Sequence, residues 1–150
     1  MDGGWAENAD AVRNVIAQHG NHVDAWIISH THSDHVGAFN EIYANPQGIT
    51  IDMIYDNGTD YDFVMEKGEP YDGQGTAPLH TYHELTKNDP KVVHLKRDER
   101  LDICGLDVQV FNSFDDIVKA NVGEQCDYQN NGSLCLRFTN VQDSFCIPGI

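Results

Sequence analysis

The chain has 150 residues, 40 % apolar and 22 % charged, which suits one globular domain with room for a real core. Its formal net charge of −15 disfavours nucleic acid and anionic lipid as partners unless cations gather locally. No basic n-region with a following apolar stretch opens the chain, and no window approaches about 18 apolar residues. Neither a signal peptide nor a membrane span is therefore expected, and the cytoplasm is the default compartment.

In chain order, Asp2-Gly3-Gly4 is a turn. A helix starts at Asn8 or Asp10, with Val12, Val15, Ile16 and His19 on one face and Gly20 as a left-handed stop. Residues 25–29, AWIIS, form a short buried strand. Residues 36–44 are helical and Pro46 closes them; 49–55 alternate as a strand, and Asn57-Gly58 is a turn. Residues 57–77 are rich in Gly, Asp and Tyr and predict a long loop with at most one helical turn. A helix follows over 78–88, with Pro78 in its first turn.

After Pro90 the period changes to two. Strands are predicted over 92–95, 100–104 and 107–111, the last two joined at Gly105, and a short helix over 114–120. SLCLRF and SFCI make a final hairpin about Asn140. With no internal repeat or linker, a single α/β domain is the simplest organisation. None of Cys104, Cys126, Cys135 and Cys146 forms a C-x-x-C pair, so neither a zinc ribbon nor a redox motif is expected, and four cysteines leave room for two disulfides. Three of them lie in apolar, strand-like runs, which predicts buried, unpaired thiols.

Between the strand at 25–29 and the helix at 36–44 lies HTHSDH, with three histidines and an aspartate in six residues. Alternation along an extended loop turns His30, His32 and Asp34 to one side, and His35 sits where the chain bends into the helix. Imidazole and carboxylate are the donors that a divalent transition metal accepts: zinc first, with manganese or iron as alternatives. Four such groups can serve one ion or two. Ser29 and Thr31 are small enough to pack beneath the loop, and Gly37 permits close backbone approach. His80 and His83, three apart on a helix beside Glu84, are expected to be a surface pair. Lys96, Arg97 and Arg100 are interleaved with Asp98 and Glu99, so they form no basic patch.

SHTHSDHVGAF resembles the H-x-H-x-D-H signature of the metallo-β-lactamase fold superfamily. DGGW near the start, HGNHVDAWIISHTHSDHVGAF and the late NNGSLCLRF resemble the metallo-hydrolase domain of ComEC-type competence proteins and their free-standing relatives. The resemblance implies an αββα sandwich with the metals at one edge, His30 and His32 holding a first ion and Asp34 and His35 a second. It gives Asp34 a catalytic role in orienting the attacking water. Asn130 and Asn131 stand where the superfamily has a histidine, and they are candidates for an additional part of the site.

The final CIPGI lacks the expected Gly-Asp step. Against the family pattern, the chain therefore corresponds to roughly the N-terminal half of the sandwich, without its first strands. Two functions follow. One is a metal-dependent hydrolase acting on a small-molecule or phosphoester substrate through a metal-activated water. The other is a metal-binding but inactive fragment or interaction module. Half a sandwich also predicts self-association through an exposed seam at AWIIS and SLCLRF.

Overall fold

A computed structural model of the protein describes residues 1–68, 76–121 and 127–148. Two sheets lie at its centre. The first is parallel, in the order β1-β2-β3, and is built from His22–Ile27, Thr50–Asp56 and Val92–His94. The second is antiparallel, in the order β4-β5-β6-β7, and is built from Arg100–Ile103, Leu106–Asn112, Cys135–Thr139 and Ser144–Ile147.

Three longer helices belong to the parallel sheet: α1 (Ala9–Gln18), α2 (Ser33–Ala44) and, after α3 (Tyr61–Lys67), α4 (Ala77–Thr86). Ile16, Val36, Phe39, Ile42 and Tyr82 from these helices pack with Trp26, Ile28, Ile51 and Ile54 from the β1–β2 region. A second core lies between the sheets, where Ile27 and Leu95 meet Ile103, Val108, Val110, Leu134, Leu136 and Phe138. The parallel strands are covered on both sides, as crossover connections require. The layers are thus helix, sheet, sheet. Two one-turn helices, α5 (Asp116–Lys119) and α6 (Tyr128–Asn131), lie in the connection between β5 and β6.

Several elements differ from expectation for identifiable reasons. β1 starts at His22, three residues before the apolar run, because its polar first half still pairs in register with β2 (His22 with Thr50, Val23 with Ile51). The segment after Asn57 holds a full helix, α3, nucleated by Asp60, whose side chain accepts a hydrogen bond from the Phe63 backbone N–H. Residues 69–75 of the expected loop lie outside the described residues, as do Cys126 and the final Gly149 and Ile150.

The cysteines are unpaired, as expected, among the described residues, but they are not buried. Cys104 and Cys146 are exposed and Cys135 is half-buried. The inward phase of β6 belongs to Leu136 and Phe138, and Cys104 sits in the β4–β5 turn with φ of 53°. β6 is an interior strand, flanked by β5 and β7, and on β7 Phe145 is 51 % exposed.

Among the described residues, no helix is long and apolar enough to cross a membrane. Arg97 pairs with Asp115 at 2.5 Å and Arg100 with Asp107 at 3.3 Å, so the small basic cluster is neutralised locally.

Candidate metal centre

The histidine motif sits at the end of β1, where the chain leaves the parallel sheet and enters α2. Position 32 is extended, with φ −69° and ψ 156°, and the helix begins at Ser33. The alternation therefore holds only from His30 to His32. Asp34 lies in the first turn of α2, exposed, and does not converge on the first two histidines as an extended loop would have required. The motif divides into two pairs. His30 Nε2 lies 3.1 Å from His32 Nδ1. His35 Nε2 lies 3.6 Å from Asp34 Oδ2. The His30 and His35 rings nevertheless lie close, with centroids 3.9 Å apart and planes tilted by 48°.

Asp2 organises both pairs from behind. The Ser29 hydroxyl donates to Asp2 Oδ2 at 2.8 Å, and the Ser29 backbone N–H donates to Asp2 Oδ1 at 2.7 Å. With its single proton given to Asp2, Ser29 Oγ is left as an acceptor for the Nδ1–H of His30, 3.1 Å away. Ser133 Oγ, from the chain entering β6, lies 3.0 Å from the same nitrogen. His35 Nδ1 lies 3.0 Å from Asp2 Oδ2. Both rings are thereby set with the proton on Nδ1 and the lone pair on Nε2, the arrangement that supports metal ligands elsewhere. His32 Nε2 is 3.8 Å from Asp127 Oδ1, which leaves Nδ1 to face His30.

The electrostatics agree with this geometry. His30 is fully buried. Burial, then the charges of His35 and His32, push its pKa down to about 3, so its ring is neutral at physiological pH. Burial alone would raise Asp2, but hydrogen bonds from His35 and Ser29 outweigh it and hold the carboxyl below its ordinary range. A neutral imidazole is the form that ligates. Two nitrogens on a tetrahedral ion at about 2.0–2.1 Å stand about 3.3 Å apart, so the His30–His32 spacing fits the donor set.

Asn130 and Asn131 lie in α6. The Asn130 side chain donates to Asp127 Oδ2 at 2.6 Å and is turned to its own helix cap rather than to the histidines. The Asn131 backbone carbonyl accepts from Asn112 Nδ2 at 3.0 Å. Gln129 is the buried residue of that helix, and it accepts a hydrogen bond from the Thr31 hydroxyl.

Sequence reasoning treated Asp2 as a turn residue and Ser29 as a packing residue, and it passed over Asp127 and Gln129. The DGGW phrase was the available signal for Asp2. Gly37 behaves as its position suggested: a Cβ there would lie 2.5 Å from the Ala6 backbone nitrogen. That close approach holds the segment carrying Asp2 against α2, together with the bond from the Gly3 backbone N–H to the His35 carbonyl at 2.8 Å. His80 is exposed, as expected, with Tyr61 Oη 2.6 Å from its Nδ1, and His83, half-buried, stacks on the Tyr61 ring.

Among the described residues, the only three ligand atoms from His, Cys, Asp or Glu that lie within 4.8 Å of one another belong to His22, Asp24 and Asp52, at the far end of β1.

No protein-family model matches this chain, and no curated protein matches it. Its fold is similar to that of solved metallo-β-lactamases. MEM-A1, a subclass B3 metallo-β-lactamase isolated from a soil metagenome library, aligns with a TM-score of 0.55 at 18 % identity, over 97 % of this chain and 49 % of that one. The HARLDQ-motif metallo-β-lactamase of Cronobacter sakazakii gives 0.57 at 14 % identity, over 97 % and 50 %. SMB-1, a metallo-β-lactamase in a complex with mercaptoacetic acid, gives 0.52 at 18 % identity, over 97 % and 49 %. The chain spans about half the length of these proteins and has a partial metallo-β-lactamase fold.

Proposed function

We propose that this chain carries the metal-binding half of a metal-dependent hydrolase of the metallo-β-lactamase superfamily. The observation that supports this reading is the facing pair His30 Nε2 and His32 Nδ1, with Asp2 fixing the tautomer behind it through Ser29. His30 and His32 hold the principal ion, zinc in preference to manganese or iron. Asp34 and His35 offer a weaker second position. A bound ion of this kind supplies Lewis acidity and makes a water molecule more acidic.

The remaining work falls to the chain's own residues. His30 stays neutral because it is buried. Asp2 and Ser29 keep the Nδ1 sides of His30 and His35 occupied. Asp34, exposed at the start of α2, is placed to accept a proton from a water molecule or to orient one. The ComEC-type phrases DGGW and NNGSLCLRF favour a phosphoester as the bond that is cleaved, and the acidic surface favours a small substrate over duplex nucleic acid.

A second reading, metal binding without turnover, has one observation behind it. Among the described residues, no third His, Cys, Asp or Glu ligand atom closes on the His30–His32 pair within 4.8 Å. Metal content together with hydrolysis of a generic phosphodiester separates the two. Metal with turnover that Asp34→Asn lowers supports the hydrolase, whereas metal without turnover supports the binding module.

A further inference from the structure

A cavity of about 420 Å3 opens at the carboxyl ends of the parallel strands. Thr31 of the histidine loop, Asp56 and Asn57 at the end of β2, and His94 at the end of β3 all line it. Ligands collect at this position of parallel sheets, and the volume suits a small molecule.

One lining carboxylate is already engaged by three partners. Asp56, 3 % exposed, accepts from the Tyr82 hydroxyl at 2.8 Å and from the Gly58 backbone N–H at 2.9 Å, and it lies 2.6 Å from His94 Nδ1. The hydrogen bond to Asp56 holds the His94 pKa above the ordinary histidine value. His94 thus presents its Nε2–H outward. His83 lines the same cavity from α4, and Lys87, whose ammonium donates to both Glu84 carboxylate oxygens at 2.6 and 2.7 Å, lines it from the residue that follows. The other lining carboxylate, Asp89, is also engaged, by the Tyr43 hydroxyl and the Lys91 backbone N–H.

In a chain with 24 acidic residues against 9 Lys and Arg, a cavity lined by two imidazoles, beside carboxylates already engaged, is an exception to the surrounding composition. We propose that this cavity binds a small anion, a phosphate or carboxylate group, with His94 Nε2–H as the principal donor and His83 and Lys87 completing the wall. Anion binding stands by itself. Its role as the pocket for the acidic group of a substrate rests on the hydrolase reading above.

The test uses the full chain stripped of metal, at pH about 6, below the ordinary histidine value. Inorganic phosphate and acetate are titrated separately at constant ionic strength, with chloride as the control, and the imidazole nitrogens are followed by NMR. Saturable shifts of His94 and His83 with phosphate or with acetate support the proposal, and the stronger of the two identifies the group. His94→Asn keeps a donor toward Asp56 but removes Nε2–H, so affinity should fall about tenfold or more. Lys87→Met should weaken binding less. The protein is free of metal throughout, so failure of the metal reading remains distinguishable. Absence of saturable shifts in folded protein, or equal binding by His94→Asn, would overturn the proposal.

Discussion

Asp2 and His35, 33 positions apart in the chain, are joined by a 3.0 Å contact between Oδ2 and Nδ1. The same carboxylate takes the Ser29 hydroxyl, so one acidic residue near the start of the chain sets the orientation of two histidines in the loop. Asp2→Ala should cost about 1.5–3 kcal/mol in urea unfolding, the range for hydrogen bonds to a charged group. It should also weaken metal binding about 10–100-fold, as loss of a supporting partner does. Unchanged metal affinity in folded Asp2→Ala would show that the histidines orient themselves.

Gly37 separates packing from chemistry. Its missing Cβ would stand 2.5 Å from Ala6 N and 3.1 Å from Gly4 O, both backbone atoms that cannot rotate away. Gly37→Ala should destabilise the fold by about 1–3 kcal/mol, the cost of overpacking, measured by thermal or urea unfolding. A neutral result would mean that the segment 4–6 moves off α2 freely.

The histidine loop, the parallel strands and the final hairpin were legible in the sequence because each carries a periodic or chemical pattern that local structure alone decides. Where α2 starts was not. Ser33, Asp34 and His35 look like loop residues, and only the close pairing of the Asp2–Gly4 segment on α2 shows that they form its first turn. Asp2 was hidden for the same reason: its partners are distant in sequence. The exposure of Cys146 was missed because an apolar run does not reveal which face of a strand turns inward, and that of Cys104 because the run does not reveal where the strand ends and the turn begins.

The Asp56–His94 pair makes a pH prediction whose sign follows from the raised His94 pKa. A raised histidine contributes stability that is fully present below its unfolded value, about 6.5, and is lost as pH rises through the folded value. Unfolding free energies measured from pH about 5.5 to about 9 should show this alkaline loss in the wild type, and it should be absent in His94→Asn. A variant with an undiminished alkaline loss would remove Asp56 as the cause.

If the chain turns over a phosphodiester, Asp34→Asn should lower kcat more than it raises KM, because the side chain keeps its shape and loses only its charge. Steady-state kinetics with metal in excess decide this. A pure KM effect would make Asp34 a substrate contact and remove it from proton handling.

The central claim is that His30 and His32 form a metal site, and metal analysis with a zinc titration tests it most directly. Protein never exposed to chelator should carry about one ion per chain, zinc before manganese or iron. Apo-protein should take up zinc in one tight step, followed at most by a weak one at Asp34 and His35, and His32→Ala should abolish the tight step while leaving the fold intact. Metal-free protein that shows no tight step, or an unchanged step in His32→Ala, would contradict the account.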